Sequence, residues 1–359
     1  MNVTNNREKV DVLSLVRSDM RTPKPYEPAP ARSGCKLDCN ESPWNLPENV
    51  RAKLVHWLES GENLNRYPDS DNTILRQAAA RLWGVEPSNV TCGVGSDQLI
   101  DMTCRVFLEP GDCIVTQSPT FGMYAVSATL AHGRVIAVPA EGPGGVKDMA
   151  RAAERERAKV VFVCSPNNPT GYAVPQSDIR FVLDNTKSVV VVDEAYGEFT
   201  GESMIGSIGE YPNMIVLRTC SKAFGLAGLR VGYAVADRRM IEIRDMVRPP
   251  FNISTMSQLA ASWGLEAASE FSARAAALNE LRDELYGCLS KIPWLETRRS
   301  DANFFYVGSE RDIAAILEAG GVVVRRLPMD GNSYRIRLSV GTREENKKVG
   351  DILCGAQPS

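Results

Sequence analysis

One lysine stands out because of the residues around it. Lys222 is the only lysine in residues 188–290, a span with eight arginines, and it follows an apolar run in the segment TCSKAFGLAGLR. A lysine amine can form an imine with an aldehyde, while the hydroxyl of Ser221 and the guanidinium of Arg230 can hold a phosphate. The segment thus combines groups for imine chemistry with groups for phosphate binding. The alternative is an ordinary solvated loop lysine.

A carboxylate ends the apolar run VVVV. Asp193 follows this run directly, and an ionised carboxylate beside a nonpolar sheet is unfavourable unless a cation or strong donors meet it. A pyridinium nitrogen would serve as that cation. The alternative is a carboxylate that accepts hydrogen bonds from loop amides.

A third candidate is the segment GVGSDQ at 93–98, which follows the apolar run VTC and opens a helical pattern. The free amides at such a helix start can bind a phosphate at the positive end of the helix dipole. Gly93 and Gly95 fit a dinucleotide-binding fingerprint, but Gln98 stands where its third glycine is required. The next apolar run, CIVTQ, does not end in an acidic residue, so nicotinamide chemistry is disfavoured.

Seven short β-branched runs must position these residues. They are separated by ten to thirty residues each and alternate with helical patterns, which predicts a mostly parallel sheet with crossover helices. The runs are VTCG, CIVTQ, RVIAVP, KVVFVC, SVVVVDEAY, MIVLRTC and VGYAVA. Polar segments follow two of them, SPNNPTG and DEAY. Ligands bind at the carboxyl edge of such sheets, so we expect these segments to border one cleft.

The chain divides into three parts on composition. Residues 1–45 contain a short amphipathic stretch and a proline-rich segment, and we interpret them as an N-terminal arm. Residues 46–250 form the large domain with the predicted sheet. From residue 251 the pattern changes to a long Ala/Leu/Glu-rich stretch followed by shorter runs, which predicts a smaller α+β domain over 251–359.

Composition excludes several classes of protein. The 359 residues are 43% hydrophobic and 24% charged, values typical of a folded protein, and the net charge of −3 offers no basic surface for nucleic acid. Only two histidines, His56 and His132, are present, so we expect no metal site. No apolar run is long enough to span a membrane. The nine scattered cysteines and the absence of a targeting pattern predict a cytoplasmic protein.

Five motifs in order, GSD, PTFGMY, SPNNPTG, DEAY and SKAFGLAGLR, carry a family resemblance. The chain resembles the pyridoxal-phosphate-dependent aminotransferases of fold type I, in the branch of histidinol-phosphate aminotransferase. The resemblance extends from LDCNESPW to RIRLSVGTREEN. It implies an α/β fold with a large domain, whose mostly parallel sheet is flanked by helices, a smaller C-terminal α+β domain, and pyridoxal 5′-phosphate (PLP) as cofactor.

The resemblance implies catalytic roles for Lys222, Asp193 and Tyr196. Lys222 would form the Schiff base with PLP and shuttle the proton, and Asp193 would pair with the pyridinium nitrogen. Asn168 and Tyr196 would hydrogen-bond the ring oxygen O3′. Phe121 would stack on the ring, at a position where the family usually has tyrosine.

The resemblance also implies a phosphate site. Its members would be Gly95, Ser96, Asp97, Ser221 and Arg230. The contribution at 96 and 97 is better assigned to backbone amides, because a carboxylate repels phosphate, and an alternative role for Asp97 is to cap the helix. The family more often has GSDE than GSDQ.

Further residues are implied to bind substrate or the partner subunit. Tyr67 resembles a tyrosine that crosses to the partner's cofactor phosphate, which implies a homodimer; the alternative is an interface or core tyrosine. Arg337 matches the arginine for the substrate anion, and Tyr26 resembles a further phosphate contact. Arg325 resembles a second anion contact, although spacing does not separate it from Arg326.

The activity implied is amino-group exchange between glutamate/2-oxoglutarate and histidinol phosphate/imidazole-acetol phosphate, a step of histidine biosynthesis. The partners would then be small-molecule substrates, without nucleic acid or membrane. Two alternatives share the same cofactor residues, an aromatic amino-acid aminotransferase and a threonine-phosphate decarboxylase. A non-catalytic ligand-sensing protein is the alternative from a different class.

Overall fold

The computed structural model describes residues 11–20, 34–61, 64–139 and 145–356. Contacts divide the chain into two compact units, Met1–Ala31 and Arg32–Ser359. The described part of the first unit contains two short 3₁₀ turns, Val12–Leu15 and Ser18–Met20. The predicted phosphate contact Tyr26 lies outside the described residues.

The second unit contains both sheets and all the α-helices named here. Its strands are β1 Cys35–Leu37, β2 Val90–Val94, β3 Cys113–Ser118, β4 Arg134–Pro139, β5 Val160–Cys164, β6 Val189–Asp193, β7 Met214–Thr219, β8 Val231–Ala236, β9 Glu296–Thr297, β10 Phe304–Ser309, β11 Val322–Asp330 and β12 Ser333–Ser339. Its helices are α1 Glu48–Glu59, α2 Thr73–Trp83, α3 Gly95–Phe107, α4 Met123–Leu130, α5 Lys147–Glu156, α6 Gln176–Asp184, α7 Arg238–Asp245, α8 Thr255–Glu266, α9 Ala268–Leu289, α10 Ile313–Ala319 and α11 Arg343–Gly355.

The first sheet is built from the seven predicted runs, in the order β2-β8-β7-β6-β5-β3-β4. The pairs β3/β4, β3/β5, β5/β6 and β6/β7 are parallel, whereas β8 runs antiparallel to both of its neighbours. The prediction of a mostly parallel α/β sheet is therefore confirmed. The reversed direction of β8 was not predicted, because a run of apolar residues carries no sign of its direction.

Helices cover both faces of this sheet. In β5, Val161 and Val163 pack in a core with α2, α5, α6 and α8, while Val160 and Phe162 pack in a second core with α3, α4 and α7. Because successive side chains of a strand point to opposite faces, a strand buried on both faces needs apolar residues at every position. This explains the continuous apolar runs of β5 and β6.

The strand directions bring many loops to one edge of the sheet. The carboxyl ends of β3, β5, β6 and β7 share this edge, since these strands are parallel. The antiparallel strand β8 begins there, with Val231 paired to Val94 at the end of β2. The edge therefore receives the segments that follow β2, β3, β5, β6 and β7, together with the segment that precedes β8.

The second sheet has the order β1-β11-β12-β10-β9, and α9, α10 and α11 supply residues to its core. The Ala/Leu/Glu-rich stretch forms two helices, α8 and α9, which meet at Ala267. Within the predicted arm, Cys35–Leu37 pairs in parallel with Val322–Val324 of β11. The predicted domain boundaries at 45/46 and 250/251 stay a prediction.

Two further expectations concern cysteines and membranes. All nine cysteines are free thiols, and five of them are buried. Over the described ranges, every helix is too short or too polar to cross a lipid bilayer.

Candidate active site

Lys222 lies in the loop after β7, at the carboxyl edge of the first sheet. Its Nζ donates a hydrogen bond to the Cys39 carbonyl oxygen at 2.9 Å and lies 5.7 Å from the centre of the Tyr196 ring. Within the described ranges no carboxylate forms an ion pair with it. Burial, together with the positive charge of Arg337, lowers the pKa of Lys222 to about 8. A sizeable neutral fraction of this amine is thus present near pH 8.

Asp193 ends the neighbouring strand β6, in register with Cys164 of β5, and is 2% exposed. The Tyr124 hydroxyl donates to Oδ2 at 2.7 Å, and the Ala195 amide donates to Oδ1 at 3.1 Å. Burial nevertheless raises the pKa of Asp193 to about 6. Among the described side chains no lysine, arginine or histidine pairs with this carboxylate, so it has donors but no cation.

Tyr124, the hydrogen-bond donor to Asp193, packs against two other aromatic rings. Tyr124 is fully buried and stacks on Phe162 with ring centres 4.6 Å apart. Phe121, the predicted stacking residue, meets the Tyr124 ring edge-on at 5.7 Å. Sequence reasoning did not select Tyr124, although it lies in the PTFGMY motif, three residues after Phe121.

Tyr196 accepts a hydrogen bond from Asn40. Nδ2 of Asn40 donates to the Tyr196 hydroxyl oxygen at 3.0 Å, and the Tyr196 ring packs edge-on against Phe304 at 5.0 Å. Burial raises the pKa of Tyr196 to about 12, so the phenol is protonated at neutral pH. Asn40 was also missed, although the segment LDCNESPW that contains it marks one end of the family resemblance.

Arg337 and Asn168 are direct neighbours. Nη1 of Arg337 donates to Oδ1 of Asn168 at 2.7 Å, and Nη2 donates to the Asp38 carbonyl oxygen at 2.7 Å. The buried Nε has no hydrogen-bond partner among the described residues. Oδ1 of Asn168 accepts from Arg337, which leaves the NH₂ group of Asn168 available as a donor to a ligand.

Strand register separates Arg325 from Arg326. Arg325 of β11 lies directly opposite Arg337 of β12, and residues opposite each other in an antiparallel pair project from the same face. Arg326 therefore projects from the other face, where it forms ion pairs with Asp312 at 2.8 Å and Glu318 at 3.3 Å. The structure thus places Arg325, and not Arg326, on the face of Arg337.

The predicted phosphate residues meet at the start of α3. The Gly95 amide donates to the Arg230 carbonyl oxygen at 2.9 Å. Arg230 donates from Nη1 to the Ser221 hydroxyl at 3.3 Å and from Nη2 to an Asp97 carboxylate oxygen at 3.1 Å. The first turn of α3, Ser221 and Arg230 are thus adjacent. We call Gly95, Ser96, Asp97, Ser221 and Arg230 the cradle.

Two glycines let the cradle close. Gly95 has φ +71°, and a Cβ added there would lie 2.7 Å from Arg230 Nη2. A Cβ at Gly232 in β8 would lie 2.5 Å from the Ser96 amide nitrogen. A side chain at Gly232 would push the start of β8 away from the first turn of α3, whereas one at Gly95 would strain the backbone and displace the Arg230 guanidinium.

The helix start is capped by Gln98 rather than Asp97. Oε1 of Gln98 accepts hydrogen bonds from the Val94 amide at 2.9 Å and from Asn252 Nδ2 at 2.8 Å. The alternative of a capping role for Asp97 is therefore wrong, since its carboxylate pairs with Arg230. The departure from the GSDE motif has a structural role here.

Tyr67 is highly exposed. Its side chain is 82% accessible and stacks on Phe251 with ring centres 4.6 Å apart. The alternative of a core tyrosine is excluded by this exposure.

One group of possible metal ligands occurs in the described residues. Ligand atoms of Asp38, Cys39 and Glu41 lie within 4.8 Å of one another. The Lys36 ammonium lies 3.1 Å from Asp38 and 2.5 Å from Glu41. The ammonium of Lys36 thus already pairs with both carboxylates of this group.

Known proteins are similar to this chain over most of its length. The family model for aminotransferase class I and II matches residues 33–353. A histidinol-phosphate aminotransferase of Ruminiclostridium cellulolyticum is 40% identical over 347 residues, which cover 94% of this chain and 97% of the relative. One from Roseiflexus castenholzii is 34% identical, with 95% and 98% covered.

Solved structures share the fold. The histidinol-phosphate aminotransferase of Sinorhizobium meliloti in complex with pyridoxal-5′-phosphate matches with a TM-score of 0.82 at 24% identity, over 90% of this chain and 92% of that one. An L-threonine-O-3-phosphate decarboxylase of Porphyromonas gingivalis has a TM-score of 0.78 at 20% identity, over 89% and 98%. At these identities the structural matches bear on the fold alone.

Proposed function

Because this chain belongs to the class I and II aminotransferases, enzymes that depend on PLP, we propose that it exchanges an amino group between histidinol phosphate and 2-oxoglutarate. The products are imidazole-acetol phosphate and glutamate, and the reaction is a step of histidine biosynthesis. The names of the relatives at 40% and 34% identity support histidinol phosphate as a substrate.

One observation carries the proposal. At one sheet edge, a lysine with a lowered pKa follows β7, and a buried carboxylate that has no cationic partner among the described residues ends the adjacent parallel strand β6. A pyridinium N–H would bring Asp193 the positive charge that the described residues do not provide, so the donor set at this edge fits PLP.

Several side chains would hold the cofactor ring. When bound, PLP supplies an aldehyde for imine formation and a ring that stabilises negative charge at the substrate α-carbon. We assign Asp193 to the ring nitrogen, and Asn168 and Tyr196 to the ring oxygen O3′. Phe121 is assigned to the ring face, where its π surface is retained without the hydroxyl of the usual tyrosine.

The cradle is assigned to the cofactor phosphate. Backbone amides of Ser96 and Asp97 at the start of α3 provide donors at the positive end of the helix dipole. Arg230 and the Ser221 hydroxyl add side-chain donors. The carboxylate of Asp97 does not oppose an anion here, because Arg230 already pairs with it at 3.1 Å.

Lys222 has two tasks, nucleophile and proton carrier. Attack on an aldehyde needs the neutral amine, which the lowered pKa of about 8 provides at moderate pH. The Cys39 carbonyl accepts one N–H of Nζ and so orients the remaining lone pair. We assign the same Nζ to accept and return the substrate proton.

The two arginines on one sheet face are assigned to the substrate anions. Glutamate presents carboxylates and histidinol phosphate presents a phosphate, and a guanidinium binds both groups through paired hydrogen bonds. Arg337 is held in place by its bonds to Asn168 and Asp38. Arg325, opposite it, is assigned as a second anion contact, and Tyr26 as a further phosphate contact.

We also propose a cytoplasmic homodimer in which Tyr67 reaches the cofactor phosphate of the partner subunit. The stacked pair Tyr67 and Phe251 supports this, as does Met246, which is 79% exposed.

The test of this arrangement is to mix two impaired variants, Tyr67→Ala and Lys222→Ala. If Tyr67 acts across the interface, mixed dimers regain one intact site and part of the activity. A failure to regain activity in confirmed mixed dimers would contradict this arrangement.

The test of the activity is a substrate panel with purified PLP-loaded protein. We expect glutamate formation from histidinol phosphate and 2-oxoglutarate, with the parallel initial-rate lines of ping-pong kinetics. Release of carbon dioxide from phosphothreonine, or a strong preference for phenylpyruvate over imidazole-acetol phosphate, would replace this substrate assignment. Absence of turnover with every amino donor would favour a ligand-sensing protein.

A further inference from the structure

We propose that Asn40 is a positioning residue that fixes the direction of the Tyr196 hydroxyl hydrogen. This inference rests on the proposed PLP chemistry, because the hydrogen would be aimed at the ring oxygen O3′. The argument starts from a single contact, the 3.0 Å hydrogen bond from Asn40 Nδ2 to the Tyr196 hydroxyl oxygen.

The Asn40 side-chain amide also contacts Ser339. The Asn40 backbone amide donates to the Ser339 hydroxyl oxygen at 2.8 Å, so the one hydrogen of that hydroxyl is available for donation elsewhere. The Ser339 hydroxyl donates to Oδ1 of Asn40 at 3.1 Å. Oδ1 accepts from Ser339, and the NH₂ group is the side of the amide that meets Tyr196.

The backbone of Asn40 is held as well. Asn40 has φ 54°, in the left-handed region that asparagine tolerates better than most residues, and its side chain is 0% exposed. Nδ2 of Asn303 donates to the Asn40 carbonyl oxygen at 3.1 Å. Ser339 and Asn303 belong to the region of the second sheet, while Tyr196 follows β6 of the first. Asn40 therefore links the second sheet to an active-site phenol.

The direction of the hydroxyl hydrogen follows from this arrangement. An NH₂ group has only donors, so the Tyr196 hydroxyl must accept from Asn40 and cannot donate to it. The phenol keeps its hydrogen at neutral pH, since its pKa is about 12. That hydrogen is thus available to a ligand at the sheet edge. Acceptance of a hydrogen bond also makes a hydroxyl a stronger donor.

The effect is measurable in the visible band that forms when PLP is added to the protein. Weaker donation to O3′ would leave more negative charge on that oxygen. This charge would raise the proton affinity of the nearby imine nitrogen of Lys222, and so raise the pH midpoint of the band. Asn40→Gly removes the amide and keeps the left-handed backbone. We expect its midpoint to rise by about 0.5 to 1 pH unit, the equivalent of roughly one hydrogen bond.

A double-variant cycle separates this role from a general structural one. Tyr196→Phe removes the hydroxyl and should raise the midpoint further than Asn40→Gly does. If Asn40 acts through Tyr196, Asn40→Gly causes no further shift in the Tyr196→Phe background. Additive shifts would overturn the inference.

A matched control is Asn346→Ser. Asn346 is also a buried asparagine, and it hydrogen-bonds both the amide and the carbonyl of Gly341. We expect this variant to lower the melting temperature without moving the midpoint. If Asn40→Gly does not fold, Ser339→Ala serves instead, because it leaves Asn40 in place and releases the amide orientation. We expect a smaller shift in the same direction.

An unchanged midpoint in the folded Asn40 or Ser339 variant would overturn the inference while leaving the proposed function intact. Absence of any visible band in the wild-type protein would instead overturn the proposed function, and this inference with it. The two failures are therefore distinguishable from the wild-type spectrum alone.

Discussion

Arg337 donates a hydrogen bond from Nη1 to Oδ1 of Asn168 at 2.7 Å, across a separation of 169 residues in the chain. Arg337 belongs to β12 of the second sheet, and Asn168 follows β5 of the first. A residue assigned to the substrate anion thus touches a residue assigned to the cofactor ring. The orientation of Asn168 therefore depends on this guanidinium, and we expect substrate binding to depend on it as well.

We expect Arg337→Lys to lower kcat/KM for glutamate by about 100-fold or more. Lysine keeps the charge but loses the paired donors, and each hydrogen bond to a charged group contributes about 1.5 to 3 kcal/mol. The measurement is steady-state kinetics with both amino donors. The matched control is Arg326→Ala on the opposite face, which should stay within about twofold of wild type because only surface ion pairs are lost. An equal loss in the control would contradict the assignment from strand register.

Lys222→Ala should abolish both the visible band and transamination, because no other amine in the assigned site can bind the PLP aldehyde. Borohydride reduction of the wild-type protein with PLP should label the peptide that contains Lys222. The control is Lys187→Ala, which precedes β6 at the opposite edge of the sheet. That variant should keep the band and the label. A visible band in Lys222→Ala would remove this residue from the scheme.

Asp193→Asn should stabilise the PLP-free protein at pH 8 while weakening PLP binding. The folded protein raises the pKa of this carboxyl from the ordinary 3.8 to about 6, so the folded state binds its proton more tightly than the unfolded state does. The free energy of unfolding therefore falls as the pH rises through this range. Above this range, the unfavourable contribution of the ionised Asp193 carboxylate reaches its full size, up to about 3 kcal/mol. Asparagine cannot ionise and avoids this loss.

The variant also weakens the hydrogen bond from Tyr124, so we expect a net gain of about 1 to 2 kcal/mol at pH 8. The measurement is denaturant unfolding of both PLP-free proteins from pH 4 to pH 8. The difference should shrink toward acid pH, because both side chains are uncharged below the ordinary carboxyl pKa. A difference that does not change with pH would show that ionisation of Asp193 is not its source.

The elements that carry the site could be predicted because their signals are local. Continuous apolar runs identified the buried strands, and polar residues at their ends identified Lys222 and Asp193. Parallel strands then bring those ends to one edge, whatever the detailed packing. The fold class and the sheet edge that carries the candidate site follow from this reasoning.

Contacts between distant parts of the chain could not be predicted in the same way. The bond between Asn40 and Tyr196 joins residues 156 positions apart, and no pattern near either residue indicates the other. The choice between Arg325 and Arg326 needed the register of β11 against β12. A shift of one residue reverses the face on which a side chain lies, and the sequence alone does not determine that register.

Gly232→Ala should damage the cradle through the backbone. The added Cβ would lie 2.5 Å from the Ser96 amide nitrogen and 2.6 Å from the Gly95 carbonyl carbon, and neither atom can move without shifting the start of α3. We expect a stability loss of about 2 kcal/mol or more and at least about tenfold weaker PLP binding.

The control is Gly228→Ala in the same segment, where an added Cβ meets no atom within 4 Å. That variant should stay within about 0.5 kcal/mol of wild type and keep its affinity. Equal PLP affinity in both variants, measured by titration of the visible band, would show that the close approach of β8 to α3 does not shape the phosphate site.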